Sequence, residues 1–428
     1  MHSPDRLDLL RSGSFEPVRR RRVLFVEGYD PIGPEGYFRL FRGTCDRFQR
    51  LWPVTAILKP LELDSADFAH WGVDLRGLNW QTSTRYDFLR LESFIRSDMA
   101  MPTLWFVLRG VLWFLGDLVS GAQYRIFRAS WRFGLHLLYF QLLLLAWAAI
   151  SAAIAGVLGR VAASYSGSAI AGAIVAIVAL VLLVFGLRPI AEWTGAIQIG
   201  NCWLVLRRFC RGQSTWLDRA IEAGASDLVA AARANDADEL VVIGHSSGCV
   251  VASAIMARAL ELDPDLGRGG PRLVLLTLGS VMPAVALHPA AQRMRNIVRQ
   301  LAVAPTLSWI DCQSRKDVMC FTNFDPVDGI GLDGGMDRRN PLLWRIRFRE
   351  MIAPENYGRF RWSYLRVHYQ YILAGDRPAP YDYMLLVAGP APIAEWPKRH
   401  RQLMDVFIRD AEPEAEIDRQ DAAVAACL

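Results

Sequence analysis

Residues 239–262 read ELVVIGHSSGCVVASAIMARALEL, a stretch that changes character once, at its glycines. Glu239 to Ile243 is a continuous aliphatic run without polar alternation, the pattern of a short strand buried on both faces. Val250 to Leu262 instead repeats its small and aliphatic residues at helical spacing. Gly244-His245-Ser246-Ser247-Gly248 must therefore turn the chain from strand into helix. Such a turn holds its central residue at a strained backbone angle, and glycines two positions to either side relieve the crowding between strand and helix. The following helix aims its free N-terminal amides and the positive end of its dipole at that residue. Ser246 is thus placed as a nucleophile, with the Ser247 backbone N–H as a donor to a developing oxyanion.

Outward from this turn, strand and helix patterns alternate. Upstream, Val23 to Val26 is a buried strand ending in the turn Glu27-Gly28-Tyr29-Asp30-Pro31, and the apolar spacing over 37–51 predicts a helix. Val54 to Leu58 reads as a second strand, whereas 64–96 has no period firm enough to assign. Trp216 to Asn235 has helical character. Downstream come strands at Leu273–Leu278 and Leu307–Asp311, separated by a basic helix at Gln292–Leu301. The expected fold class is α/β, a doubly wound and mostly parallel sheet. The expected divisions are a disordered lead over 1–21, a first part of the sheet domain over 22–100, an insertion over 101–212, the second part over 213–404 and an acidic tail over 405–428.

The insertion carries the second strong signal. The 428-residue chain is 52% hydrophobic, and it contains two long uncharged apolar runs, Phe133–Gly159 and Val161–Leu187, divided by Arg160. Each exceeds the ~20 residues needed to cross a hydrocarbon core. They predict a two-helix transmembrane hairpin over about 133–158 and 164–187, with the turn at Arg160. Small residues four apart, Ala152 with Gly156 and Gly172 with Ala176, suit close helix approach. Pro102–Ser120 is apolar but contains Arg109 and Asp117, so it is read as an interfacial or buried amphipathic helix in preference to a third span.

The net charge of +5 comes from arginines gathered at Arg19–Arg22 and beside the apolar runs, which fits an anionic membrane surface. No nucleic-acid motif accompanies them. Arg125, Arg128 and Arg132 precede the hairpin and Arg188, Arg207, Arg208 and Arg211 follow it, so both ends are expected on the cytoplasmic side of a bacterial inner membrane. Seven scattered cysteines without metal-ligand spacing fit reduced thiols, and the charged N-terminus lacks the apolar stretch of a secretion signal.

The Gly244–Gly248 segment in this context resembles the nucleophile elbow of the α/β-hydrolase superfamily, and the chain order around it is similar to its lipases and esterases. The resemblance implies a triad in the order serine, acid, histidine, and a second oxyanion N–H from the loop after an early strand, carried here to Tyr29. Downstream of Ser246 the histidines are His288, His368 and His400. His288 precedes any acid-bearing strand end and His400 sits in a basic surface run, which leaves His368. The acid belongs in the loop after Leu307–Asp311, where Asp317 is the choice and Asp311 and Asp325 are alternatives. His245 is expected to pack the elbow. The implied activity is an acyl-ester hydrolase acting on a hydrophobic or lipid substrate, without metal or organic cofactor. Thioester, amide or acyl-transfer chemistry on the same triad, and a non-catalytic membrane scaffold, are the competing expectations.

Overall fold

The computed structural model describes residues 15–409, apart from 64, 79, 334 and the side chains of 406, 408 and 409. Most of the expected lead and tail therefore lies outside the described residues. The strands are β1 (Arg20–Val26), β2 (Thr55–Leu58), β3 (Phe68–Arg76), β4 (Gln81–Leu89), β5 (Glu239–His245), β6 (Arg272–Leu278), β7 (Leu307–Gln313) and β8 (Leu342–Arg345). The principal helices are α1 (Gly33–Gln49), α2 (Thr103–Val119), α3 (Trp131–Ser166), α4 (Ala169–Gly186), α5 (Ala196–Cys210), α6 (Thr215–Ala234), α7 (Gly248–Leu262) and α8 (Tyr364–Tyr369).

One eight-stranded sheet runs in the order β2-β3-β4-β1-β5-β6-β7-β8. β3 lies antiparallel to β2 and β4, and every other pairing is parallel. The chain is thus α/β with a mostly parallel sheet, as expected. Successive side chains of a strand point to opposite faces. Leu24, Val242, Leu275 and Trp309 belong to one apolar layer with α6 and α7. Phe25, Ile243, Leu276 and Ile310 belong to the other, with α1 and the segment around Tyr383–Trp396. The unassigned 64–96 region contains the β3–β4 hairpin, in which Ala69, Trp71, Val73 and Leu75 alternate inward.

The arginine run at 19–22 departs from expectation. Arg20, Arg21 and Arg22 are the first residues of β1, so the strand begins before the expected Val23, and two of these arginines have structural partners. Arg21 is fully buried: its Nε donates to Glu239 Oε2 at 2.7 Å, and its Nη atoms donate to the Gly389 and Ala391 carbonyls at 2.7 and 2.9 Å. Arg22 pairs with Asp87 and Asp227. Removing one member of a buried pair strands the other charge. Arg21→Ala is therefore expected to lower unfolding free energy by about 3–5 kcal/mol, read as a fall in thermal midpoint in detergent.

Between β4 and β5 the described chain is almost entirely helical, and α3 and α4 are long and apolar enough to cross a membrane, which suggests membrane association. The turn between them is not at Arg160. Helix α3 continues to Ser166, and the break comes at Gly167, whose φ of +66° a glycine adopts without strain, before Ser168 caps α4 by accepting the Ala171 N–H. A single arginine does not stop a helix, whereas the alanine-rich sequence after it favours one. The close approach also differs. A β-carbon on Gly159 would lie 2.7 Å from Ala176 Cβ and one on Gly172 would lie 2.6 Å from Ala163 Cβ, while Gly156 faces open space. Gly172 and Ala176 thus meet Gly159 and Ala163, not Ala152 and Gly156. Helix α2 turns Phe106, Val107 and Trp113 inward but exposes Leu104, Trp105, Leu108 and Leu112, so its outer face is apolar too, and together with the bent helix Glu92–Met99 before it the segment is long and apolar enough to count as a third span.

Candidate active site

Because β1, β5, β6 and β7 are parallel, their carboxyl ends share one edge of the sheet, where ligands of open α/β sheets bind. Ser246 stands there, directly after β5, at φ +58°, a value sparsely populated by residues other than glycine. Its N–H donates to the Leu278 carbonyl at the end of β6, 2.9 Å away. The glycines of the elbow are sterically required. A β-carbon on Gly244 would lie 2.5 Å from Cys249 Cα, and one on Gly248 would lie 2.3 Å from the Glu27 carbonyl.

Asp317 and His368, far apart in sequence, are brought together. His368 Nδ1 lies 2.8 Å from Asp317 Oδ2, and both side chains are buried. The other Asp317 oxygen accepts the Met319 N–H at 2.8 Å. Burial alone pushes the Asp317 carboxyl upward, but the charge and hydrogen bond of His368, with the Met319 and Cys320 donors, outweigh it and hold the group below the ordinary carboxylate range. An ionised acceptor at Nδ1 fixes the proton there and leaves Nε2 as the basic nitrogen. That Nε2 is buried without a hydrogen-bond partner.

The pair lies beside the elbow from two directions. The ring of His245, next to Ser246, sits 4.8 Å from that of His368 and bonds the His368 carbonyl through Nε2 at 3.1 Å. A carbonyl only accepts, so His245 carries its proton on Nε2; burial, foremost, and His368 hold its pKa down at about 3. It packs the elbow as a neutral strut. From the other side, a β-carbon on Gly279, after β6, would lie 3.2 Å from both Asp317 Oδ2 and His368 Cε1. The alternative acids point elsewhere. Asp311 accepts Thr277 Oγ1 and Gln313 Nε2, and Asp325 pairs with Arg338.

The two backbone N–H groups expected as oxyanion donors are in different surroundings. Ser247 is the N-cap of α7, immediately before its first residue. The Tyr29 N–H, by contrast, donates to the Ser247 hydroxyl at 2.8 Å. It is therefore occupied in this conformation, because the serine after the nucleophile carries an acceptor of its own. Gln198 of α5 holds the Tyr29 carbonyl at 2.8 Å, and the Tyr369 hydroxyl bonds Asp30, tying the turn after β1 to the helix of His368. Sequence reasoning passed over both. Gln198, one of two amides with Asn201 in the otherwise apolar stretch 196–206, was the available signal.

Glu27, at the end of β1, is buried with neither carboxylate oxygen bonded. Burial first, then the nearby charges of Asp30 and Glu92, push it well above the ordinary carboxylate range. A carboxyl raised by folding is stabilising below its unfolded pKa, and that stability is lost as pH rises toward the raised value. Glu27→Gln is expected to match the wild type near pH 4.5 and to show the higher thermal midpoint at pH 8.

The inserted helices stand over this edge. Phe133 at the base of α3 packs tilted against Phe321 of the Asp317 loop with centroids 4.8 Å apart, and the Arg132 guanidinium donates to the Arg315 carbonyl. A small pocket beside Gly28, Tyr29 and Ser247 is lined by Ile95, Val205, Trp216 and Val251. Against this geometry, no protein-family model, no curated protein and no solved structure matches the chain.

Proposed function

We propose that this chain is a membrane-anchored serine hydrolase of the α/β-hydrolase type that cleaves a hydrophobic acyl ester through an acyl-enzyme. The observation that carries it is the buried 2.8 Å Asp317–His368 pair beside a serine held at φ +58° between two sterically required glycines. In the proposed mechanism, His368 Nε2 takes the Ser246 proton as Oγ attacks the carbonyl carbon. The resulting oxyanion is received by the Ser247 N–H, and by the Tyr29 N–H once the Ser247 hydroxyl turns away from it. Collapse breaks the ester bond, and the leaving alcohol takes the proton from His368. Water, deprotonated by the same histidine, then attacks the acyl-enzyme and releases the carboxylic acid with Ser246 restored. Asp317 stays ionised throughout.

Helices α3 and α4 serve as the transmembrane hairpin in this proposal. Exposed Trp131 and Trp193 mark one end and exposed Tyr165 the other, as interfacial aromatic belts do. Arginines cluster at the Trp131 end, which supports a sheet domain on the cytoplasmic side of a bacterial inner membrane. The Trp216 and Val251 pocket supports an apolar acyl group. A fluorophosphonate probe tests the enzyme: the wild type is expected to label and Ser246→Ala not to, and equal reactivity would overturn it. Carbonate extraction tests the anchor, which fails if the protein leaves the membrane without detergent.

A further inference from the structure

A cavity of about 840 Å³ opens beside the loop that carries Asp317. Its walls come from three separated segments. Arg128 and Arg132 lead into α3, Arg315 and Lys316 immediately precede Asp317, and Arg347 and Arg349 follow β8. Among the described residues, only Arg347 of these six has a carboxylate within ion-pair distance, Glu350 at 3.7 Å. Arg132 is spent on a backbone carbonyl, while Lys316 and Arg349 lie over the rings of Trp362 and Tyr357. The one carboxylate lining the cavity, Asp317, is committed to His368.

Like charges gathered on a concave surface repel one another and raise the local concentration of anions. Burial, with Arg132 and Arg361 nearby, already lowers the Lys316 pKa. Guanidinium groups in such numbers favour a phosphate, which they can grip with paired hydrogen bonds. The site's height supplies the source. Arg128 and Arg132 flank the start of the apolar helix α3, and exposed Trp131 and Trp362 stand near the rim, the signature of the headgroup layer.

We propose that this cavity binds the phosphate-bearing headgroup of an anionic membrane lipid. The site does not require Ser246 to be a nucleophile. Because Asp317 lines the same cavity, however, the bound lipid lies next to the acid–histidine pair, and, resting on the hydrolase proposal, the substrate class narrows to acyl esters of phosphate-bearing lipids.

The test is calorimetric titration of the full-length Ser246→Ala protein in zwitterionic detergent. Three probes are used: dihexanoyl phosphatidic acid, dihexanoyl phosphatidylcholine and inorganic phosphate. Saturable binding of the phosphatidic acid is expected, with the phosphatidylcholine at least about tenfold weaker. Arg315→Gln with Arg349→Gln, two exposed side chains on different walls, is expected to weaken phosphatidic acid binding by about tenfold or more. No binding, equal binding of the phosphatidylcholine, or unchanged affinity in the double variant would each overturn the site. Inorganic phosphate binding as tightly as the lipid would overturn the lipid assignment in favour of a soluble anion. Fluorophosphonate labelling of the wild type keeps the two proposals apart. Lost binding with retained labelling defeats this site alone, and lost labelling with retained binding defeats the hydrolase alone.

Discussion

Ser246→Ala is expected to reduce hydrolysis of a medium-chain nitrophenyl ester in detergent by a factor on the order of 10⁶. The acyl-enzyme route requires an oxygen at that position, and no other side chain occupies the tip of the elbow. The strained φ of +58° belongs to the backbone, so the variant should keep its fold, with a thermal midpoint close to that of the wild type. Activity within tenfold of the wild type in a folded Ser246→Ala protein would place the nucleophile elsewhere or remove the covalent step altogether.

Asp317→Asn is expected to lower the rate by on the order of 10⁴, with binding of substrate little changed. The size of the effect comes from the tautomer. The carboxylate accepts from His368 Nδ1 at 2.8 Å and leaves Nε2 unprotonated. An asparagine amide offers a donor to Nδ1 and moves the proton to Nε2, which then cannot take one from serine. Asp311→Asn is the control. Its carboxyl, raised to about 6 by burial, serves Thr277 and Gln313 and should leave the rate within a few-fold. The pH dependence also has a defined sign. A carboxyl lowered by folding contributes stability above its unfolded pKa and loses it only as pH falls through the lowered value. The ionised Asp317 should therefore keep its stabilising contribution as pH falls to the ordinary carboxylate range and lose it only below that range, and a wild-type stability curve that already converges on that of Asp317→Asn above that range would contradict this.

The legible parts of the chain were those governed by local pattern. Glu239–Leu262 announced a strand, a turn and a helix because glycine spacing and apolar periodicity are short-range properties, and the elbow is found where they placed it. The pairing of Asp317 with His368 was what the resemblance to the α/β-hydrolases implied, by its order of serine, acid and histidine. What escaped was decided by distant contacts. Arg21 looks like surface charge until Glu239, 218 residues away, is beside it. The β3 alternation was present in Ala69, Trp71, Val73 and Leu75, but His70 and Gly72 between them hid its strand character. The Tyr29 N–H was assigned from the glycine before it, and its bond to the Ser247 hydroxyl depends on a side chain from another strand end. The six cations of the large cavity lie in three segments that only the folded sheet assembles.

Strand β1 has β4 on one side and β5 on the other, and the whole helical insertion lies between those two neighbours in the chain. During synthesis the amino-terminal strands emerge first, so β1 can pair with β4 while β5 does not yet exist. Until residue 239 is made, the other edge of β1 is a row of unpaired amides and carbonyls, a template for pairing with a second chain. Helices α3 and α4 must be disposed of before that edge is covered, because they precede β5 in sequence. The order of manufacture thus makes β5 the joint on which β6, β7 and β8 are then added, and a chain stalled before Glu239 is left with a sticky flank where the second half of the sheet should dock.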